Sequence, residues 1–348
     1  MEAKKELYGM LDLLIRPGFC VKNDRICYAN SAAQSLLLCE GTEIRGLLLT
    51  GQAEYDAFRE GCLYLQLNIA GGCGASVIAM EDHRIFLLDQ QSDDHALRAM
   101  ALAARELREP LTGMQLSVSQ LSSDEKNRES LARLNRSIHQ MLRLLGNMSD
   151  AGTREFSSPA LKDIPKVIDS IFDKAQSLVS QSGLQLEYLN RAEKVLSLVE
   201  EPLLERAVWN ILSNAIKFSP KGSLIRAQLS RQGRFLRLSI TDSGSGIAEN
   251  LQQTLFQRYL RQPGIEDGRF GLGLGMVLIR NAAAKHGGTV LVDQPEGSGS
   301  RITLTIPIRQ DTSGMLRSPV LRVDYAGDQD HGLVELADCL PLDAYFEK

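Results

Sequence analysis

The strongest pattern of hydrophobic and polar positions lies between residues 97 and 148. Apolar side chains recur there at alternating spacings of three and four residues, as the a and d positions of a heptad repeat do. The first run comprises Leu97, Met100, Ala104, Leu107, Leu111, Met114, Val118 and Leu121, and the second comprises Leu131, Leu134, Ile138, Met141, Leu145 and Met148. A polar turn separates the runs, so the pattern predicts an antiparallel helical hairpin over residues 91–150. One apolar stripe stays uncovered, and we expect two copies to pair through residues 94–150 as a homodimeric four-helix bundle.

The segments flanking the hairpin mix α and β patterns. Residues 1–90 contain short β-type runs, such as 25–28 and 76–80, between Gly- and Asp-containing turns, which predicts a small α+β module. A linker is expected over 151–160, where Gly, Ser and Pro occur together. The tail, residues 310–348, contains possible strands at 320–324 and 333–336, and the pattern assigns it no role.

Residues 160–309 alternate helical and strand-like segments. Helical periods cover 167–178, 203–217 and 276–286, and strand-like runs cover 185–188, 236–242, 289–293 and 302–307. This alternation is typical of an α/β sandwich. The expected fold class is therefore α+β and multidomain, with a small module, a hairpin and an α/β sandwich domain in that order.

Composition agrees with several folded domains. One hydrophobic core rarely extends over 348 residues, and 43% hydrophobic with 24% charged residues is ordinary for globular protein. The net charge of −4 creates no general attraction for nucleic acid or anionic lipid, so we expect no nucleic-acid partner.

Cysteine usage and hydropathy indicate a cytoplasmic protein. Five of the six cysteines fall within the first 73 residues, and no two have the Cys-x-x-Cys spacing of zinc or thioredoxin-type sites. We interpret them as small buried hydrophobes with reduced thiols. No signal peptide is recognisable, and no apolar run approaches the ~20 residues of a transmembrane segment.

The residues that could bind a ligand or take part in a reaction are concentrated in the α/β region. Asn210, Asn214 and Lys217 share one face of a predicted helix. Amide oxygens suit Mg²⁺ and an ammonium suits phosphate, although a solvated polar face would show the same spacing.

Two glycine-containing motifs follow. Asp242 ends a predicted strand and precedes Gly244 and Gly246. Its carboxylate can accept a hydrogen bond from the amine of adenine while the glycines let backbone approach a flat ring, and a tight turn is the alternative. A later run alternates glycine with apolar residues and opens a helix, which offers either N–H groups to phosphate or a flexible hinge; its glycines are Gly271, Gly273 and Gly275.

The order of these motifs resembles the ATP-binding domain shared by sensor histidine kinases, type II topoisomerases and heat-shock chaperones. Asn214, Asp242 and Gly271 are separated by 28 and 29 residues. Segments 286–288 and 297–307 are similar to the closing elements of the histidine kinase branch. The resemblance covers about residues 160–309 and implies ATP and Mg²⁺ as cofactors.

The resemblance also implies a role for each motif. Asn214 and Asn210 would hold Mg²⁺, Lys217 would contact phosphate, and Asp242 would read the adenine amine. The three glycines at 271, 273 and 275 would hold the triphosphate. Segment 257–270 would be a mobile lid whose arginines, either phosphate contacts or solvated residues, are Arg258, Arg261 and Arg269.

Asn210 also distinguishes branches of this family. The hydrolysing branches carry a glutamate at the equivalent position to activate water. Because an amide is a far poorer base than a carboxylate, the resemblance implies that ATP is spared from hydrolysis until an acceptor arrives.

Residues 105–111 resemble the phosphoacceptor box of these kinases, with one departure. Arg105 stands where the family has its histidine, and a guanidinium stays protonated and has no lone pair to attack phosphorus. Glu106, the acidic neighbour that orients and deprotonates the acceptor in the family, is retained. Glu109 stands where family members that dephosphorylate their partner have Thr or Asn, and its charge would repel an aspartyl phosphate.

The other histidines are interpreted as structural. We expect His95 and His139 at the surface, and His286 within the turn before a strand. Three functions remain open: a regulatory, catalytically degenerate histidine kinase homologue; an active protein kinase that uses another acceptor or phosphorylates a partner; and a docking module for a response regulator or another kinase.

The first 90 residues show a separate resemblance. Segment 19–37 is similar to the opening of a PAS sensor domain, in which a strand-turn-strand leads into Tyr-Ala-Asn and a short helix. Residues 1–90 are therefore expected to form a PAS-like sensor domain, and no residue in them marks a haem or flavin site.

Overall fold

The computed structural model describes residues 8–69, 71–80, 82–89, 127–152, 159–247, 255–256, 274–295, 299–309 and 330–346, together with isolated positions between 103 and 118. The fold mixes α and β elements throughout these ranges. Among the helices in them, none has the length and apolar character required to cross a bilayer.

The N-terminal module is an antiparallel sheet with short connecting helices. Asn23 and Asp24 adopt positive φ angles in its first turn, which short polar side chains tolerate. Asn30 caps the first helix by accepting a hydrogen bond from the N–H of Ala33. The strand order is β2-β1-β5-β4-β3. The elements are β1 Gly18–Lys22, β2 Arg25–Ala29, α1 Ser31–Gln34, a 3₁₀ turn Arg45–Leu47, α2 Gln52–Ala57, β3 Cys62–Leu67, β4 Cys73–Met80 and β5 His83–Leu88.

The hairpin contributes helix α3, Arg128–Gly152, and helical positions between 103 and 118. Successive positions of the predicted seam alternate between the inside of the hairpin and its outer surface. One set is buried between the two helices and includes Ala104, Leu111, Val118, Ile138 and Leu145. The other set remains exposed in the single chain and includes Leu107, Met114, Leu134 and Met141. An apolar stripe is therefore open along the hairpin, as the heptad pattern requires for pairing with a second copy.

The α/β domain packs helices against the apolar face of a sheet. Along β10 the side chains of Leu236, Leu238 and Ile240 are buried, and the residues between them are more exposed. The sheet order is β11-β12-β10-β9-β7, with β7 and β9 parallel. The predicted helices and strands of this domain are confirmed, whereas β6, β8 and β9 had no predicted counterpart. The elements are β6 Ala160–Asp163, α4 Ile164–Gln181, β7 Gln185–Asn190, β8 Leu196–Val199, α5 Glu201–Phe218, β9 Leu224–Gln232, β10 Phe235–Thr241, α6 Gly275–His286, β11 Thr289–Asp293 and β12 Arg301–Pro307.

The N-terminal module and the α/β domain share one sheet. β11 pairs antiparallel with β3, and Val290 lies opposite Tyr64. The described strands β2-β1-β5-β4-β3-β11-β12-β10-β9-β7 are thereby continuous. Gln66 reinforces the junction by donating its side-chain N–H to the carbonyl of Ala284 on α6, at 3.1 Å. Each domain covers a strand edge of the other that would otherwise be open to unwanted pairing.

The linker and the tail depart from the predicted pattern. Helix α3 continues to Gly152, inside the expected linker 151–160, and β6 begins at Ala160. The expected strand at 333–336 is wrong, because this segment belongs to helix α7, His331–Glu335. Asp330 starts that helix by accepting a hydrogen bond from the N–H of Leu333, and a short apolar run cannot distinguish a strand from a buried helix. The other expected strand, 320–324, lies outside the described residues.

The expectation of a surface position for His139 is also wrong. Its side chain is buried, and its ring packs edge-on against Tyr345 with centroids 5.2 Å apart. The Nδ1 N–H donates to the carbonyl of Asn135 at 2.8 Å. The C-terminal segment covers this part of α3, which the sequence pattern of the helix alone could not reveal.

Candidate functional site

Two asparagine side chains converge on the first residue of α6. A Cβ atom built on Gly275 would lie 3.1 Å from Asn210 Oδ1 and 4.0 Å from Asn214 Oδ1. Asn210 donates its Nδ2 N–H to the carbonyl of Arg206 at 2.8 Å, and Asn214 donates to the sulfur of Met276 at 3.6 Å. Both amides therefore present oxygen toward Gly275. Two neutral oxygen ligands beside a helix N-terminus suit Mg²⁺ together with phosphate.

Asp242 is held in place immediately after β10. Its Oδ1 accepts from the backbone N–H groups of Gly244 at 2.8 Å and Ser300 at 3.1 Å. Its own N–H donates to the carbonyl of Ser300 at 2.9 Å. Burial raises the pKa of Asp242, and the two N–H donors to its carboxylate oppose that rise. Because Oδ1 accepts both backbone bonds, Oδ2 can accept a hydrogen bond from a ligand amine.

The glycines around Asp242 are required by close contacts. A Cβ on Gly244 would lie 2.7 Å from the carbonyl of Phe218. Gly246 has φ of +79°, and Gly299 has φ of +101° and would overlap the carbonyl of Asp242 if it carried a side chain. Gly299 and Ser300 were missed as site residues, although the Gly-Ser-Gly-Ser run at 297–300 was a usable signal.

Lys217 is paired with a carboxylate from the C-terminal segment. Its Nζ lies 3.4 Å from Oδ2 of Asp338, and the same oxygen accepts from Arg143 at 2.6 Å. Arg143 also donates to Oγ of Ser213, at 2.9 Å. Burial and the positive charge of Arg143 lower the pKa of Lys217, while Asp338 opposes this. The ammonium predicted to contact phosphate is therefore already engaged.

Residues 330–346, which we call the C-terminal clasp, connect the hairpin to the α/β domain. Glu335 is fully buried and accepts from Nε of Arg206 on α5 at 2.9 Å. Arg206 also bonds Asp150 and Asn147 of α3. Gly332 approaches the ring of Trp209 so closely that a Cβ would lie 3.0 Å from it. The sequence carried no motif for this contact.

His286 has the structural role that the sequence suggested. It ends α6, its Nδ1 N–H donates to the carbonyl of Ala282 at 2.7 Å, and its Nε2 accepts from the N–H of Glu200 at 3.0 Å. Burial lowers the pKa of His286 because it disfavours the charged ring, and the neutral ring is the form that can accept the bond from Glu200.

Several predicted site positions lie outside the described residues. They are Arg105, Glu106, Glu109, His95, Gly271, Gly273 and the lid 257–270 with its three arginines. The structure brings together Asn210, Asn214 and Gly275, and it holds Asp242 at the end of β10.

Comparison with known families assigns these regions. Residues 199–310 match the histidine kinase-, DNA gyrase B- and HSP90-like ATPase family, and residues 97–156 match the His Kinase A (phospho-acceptor) domain. The chain therefore carries a phospho-acceptor domain of the His Kinase A type followed by a histidine kinase-like ATPase domain. Both asparagines, Asp242 and Gly275 lie within the ATPase match, whereas the C-terminal clasp lies beyond it.

This histidine kinase homologue is similar to the sensor-like histidine kinase SenX3. It is 30% identical to SenX3 of Mycobacterium tuberculosis over 251 residues, which cover 67% of this chain and 60% of the relative. It is 27% identical to SenX3 of Mycolicibacterium smegmatis over 270 residues, covering 70% and 69%. The chain thus spans about 60% of the length of the M. tuberculosis relative. The solved structure of ShkA in complex with AMPPNP shows a similar fold, with a TM-score of 0.50 and 21% identity over 61% of this chain and 46% of ShkA.

Proposed function

We propose that this chain is a cytoplasmic, homodimeric sensor histidine kinase homologue of two-component signalling that binds ATP and Mg²⁺ without phosphorylating the usual acceptor position. Nucleotide binding then serves a regulatory role, passed on through the helical hairpin. The observation that carries the proposal is the convergence of Asn210 and Asn214 oxygens on Gly275 in a chain with arginine at position 105.

The donor set fits the proposed nucleotide. Asn210 and Asn214 supply the kind of oxygen ligands that Mg²⁺ takes, and the α6 N-terminus favours anionic phosphate. Asp242, fixed by two backbone N–H groups, suits the amine of adenine. A similar fold is found in ShkA, whose solved structure is a complex with the ATP analogue AMPPNP.

The acceptor position favours a regulatory role over catalysis. Arg105 has no lone pair with which to attack phosphorus. The alternative acceptor on the second helix, His139, is buried and packed against Tyr345, so it is not accessible to a γ-phosphate. The alternative of an active kinase therefore depends on an acceptor other than positions 105 and 139, or on a partner protein.

The N-terminal module is proposed to be the PAS-like sensor. The strand-turn-strand of β1 and β2, followed directly by helix α1, supports this assignment because it is the arrangement that segment 19–37 suggested. The exposed stripe with Leu134 and Met141 supports homodimerisation. A response regulator or a partner kinase is the expected binding partner of the hairpin.

Nucleotide binding by the full chain tests the first part of the proposal. We expect Mg²⁺-dependent ATP binding that Asp242→Asn weakens at least about tenfold, because the amide presents a donor to the adenine amine. Thr241→Ser, on the neighbouring residue, is the matched control and should bind as the wild type does. Absence of ATP binding in a folded wild-type chain would leave only the docking function.

Labelling with γ-³²P-ATP tests the second part. We expect no acid-labile, base-stable phosphate on the wild type and its appearance in Arg105→His, which restores the acceptor beside Glu106. Label on the wild-type chain that is lost in His95→Gln would contradict the degenerate assignment and favour the active kinase.

A further inference from the structure

Three metal-binding groups meet on one face of the N-terminal sheet. The sulfur atoms of Cys20 and Cys27 and a ring nitrogen of His83 all lie within 4.8 Å of one another. Cys20 is buried, and the other two side chains are partly exposed. This cluster lies outside both family matches, so it is independent of the nucleotide site and of the function proposed above.

A β-bulge brings the two cysteines together. Between β1 and β2, Cys20 lies opposite Tyr28, whereas the next residue, Val21, lies opposite Ile26, so Cys27 is the extra residue. A bulge re-aims the side chain of such a residue, which regular alternation would place on the other face. The Cys27 thiol accordingly lies beside β1 and donates to the carbonyl of Cys20 at 3.4 Å.

Strand β5 supplies the third ligand. Cys20 lies opposite Ile85 in the pairing of β1 with β5. His83 is two residues before Ile85, and residues two apart in a strand share a face. The spacings of seven and 56 residues among these three positions match no linear metal motif, which is why the sequence pattern gave no sign of the site.

A short helical segment, residues 8–12, lies beside the cluster. The ring of Tyr8 stacks on that of Tyr28 with centroids 4.0 Å apart, and its hydroxyl donates to the sulfur of Cys27 at 3.7 Å. The apolar residue Ile85 is the neighbour of Cys20 on the adjacent strand β5. The site is thus partly shielded from water, with Cys20 buried and Cys27 and His83 partly exposed.

We propose that Cys20, Cys27 and His83 bind a single Zn²⁺ ion. Two thiolates and one imidazole are a ligand set that Zn²⁺ prefers over hard cations such as Mg²⁺ and Ca²⁺. Binding releases the two thiol protons, so two thiolate charges balance the ion and the filled site is neutral, as partial burial favours. Tetrahedral bond lengths place neighbouring donors about 3.5–3.8 Å apart, so a contraction of about 1 Å closes the cluster. The fourth position is left for water or a small ligand.

Zinc titration of the reduced, chelator-treated full chain tests this site. We expect one Zn²⁺ per chain, and Co²⁺ used as a probe should give a thiolate-to-metal charge-transfer band. Cys20→Ser and Cys27→Ser should each abolish the band, and His83→Gln should weaken Zn²⁺ binding at least tenfold. The matched controls are Cys39→Ser, at an exposed thiol, and Cys73→Ser, at a half-buried one, and both should retain one Zn²⁺.

Two further measurements distinguish metal binding at this cluster from misfolding of the variants and from thiol oxidation. Zn²⁺ should raise the unfolding temperature of the wild type and of the two control variants but not of Cys27→Ser, because a ligand stabilises only a chain that binds it. ATP binding should be unchanged in Cys27→Ser. This result would show that the variant is folded and that its loss of Zn²⁺ binding does not affect the nucleotide site. A wild-type chain that binds no Zn²⁺, or a mass lower by two hydrogens from a Cys20–Cys27 disulfide after purification without reductant, would overturn the proposal.

Discussion

Oδ2 of Asp338 lies 3.4 Å from Nζ of Lys217. Lys217 is on α5, the helix that also carries Asn210 and Asn214. The carboxylate comes from the C-terminal clasp and the ammonium from the α/β domain, and Arg143 of the hairpin shares the same oxygen. One carboxylate thus connects three parts of the chain at the edge of the proposed nucleotide site. An incoming phosphate would compete with Asp338 for Lys217.

Neutralising Asp338 should therefore strengthen nucleotide binding. In Asp338→Asn, the Lys217 charge becomes available to phosphate, and we expect ATP affinity to rise roughly threefold to tenfold. Equilibrium binding of ATP to the full chain measures the effect. Asp343→Asn, an exposed change in the same clasp, is the control and should leave affinity unchanged. An affinity that falls or stays constant in Asp338→Asn would show that the pair does not compete with phosphate.

The clasp should also contribute strongly to stability. Glu335 is fully buried and lies beside two buried guanidinium groups, 2.9 Å from Arg206 and 3.6 Å from Arg143. Glu335→Gln removes this charge, and Arg206 keeps Asp150 as an ion-pair partner. We expect a loss of about 3 kcal/mol in the free energy of unfolding, measured in urea. Glu129→Gln breaks the exposed pair with Arg133 and should cost less than about 0.5 kcal/mol. Equal losses in the two variants would mean that the clasp is not docked in solution.

These contacts mark the limit of what the sequence could reveal. Asn210, Asn214, Asp242 and Gly275 could be named as candidates because each lies in a short local motif, and the order of those motifs resembles the ATP-binding domain of histidine kinases. Asp338 and Lys217 are 121 residues apart, and their pairing depends on how the tail crosses two domains.

The N-terminal module shows the same limit at a shorter range. Its strands followed from apolar runs, but the approach of Cys27 to Cys20 depends on a bulge that period-two alternation does not encode. The edge pairing of β3 with β11 likewise joins strands that are distant in sequence. Local patterns therefore predicted the elements and the motif residues, whereas contacts between domains required the fold.

A methyl group at Gly275 should impair Mg²⁺–ATP binding without unfolding the chain. In Gly275→Ala the new Cβ would lie 3.1 Å from Asn210 Oδ1, which crowds the two amide oxygens. We expect roughly a tenfold loss of affinity. The unfolding free energy should stay within about 1 kcal/mol of wild type, since alanine favours helix. Gly46→Ala, where no atom lies within 4 Å of the new Cβ, is the control for both measurements. Unchanged affinity in Gly275→Ala would place the nucleotide elsewhere.

His286 should make the chain less stable on mild acidification. Burial lowers the pKa of His286, the nearby charges of Arg309 and Lys285 lower it further, and the hydrogen bond to the carbonyl of Ala282 opposes this. Between pH 6.5 and the lowered folded pKa, the unfolded histidine binds a proton that the folded one does not, so stability falls as pH falls. The slope for one such group is at most about 1.4 kcal/mol per pH unit. His286→Gln can still accept from Glu200 and should reduce this slope in urea unfolding at pH 7.5 and 5.5. An identical slope in wild type and variant would contradict the assignment.

The exposed stripe of α3 should determine the oligomeric state. Leu134 and Met141 are 45% and 40% exposed in the single chain, although they belong to the heptad seam. A charge at either position would be buried without a partner in a four-helix bundle, so Leu134→Asp and Met141→Asp should convert a dimer into a monomer. Leu189→Asp, at a 45% exposed leucine on β7, should leave the dimer intact. Light scattering after size-exclusion chromatography gives the mass directly. Because each substituted side chain is exposed in the monomer, the monomeric variants should retain ATP binding, and a wild-type chain that is monomeric at micromolar concentration would rule out this interface.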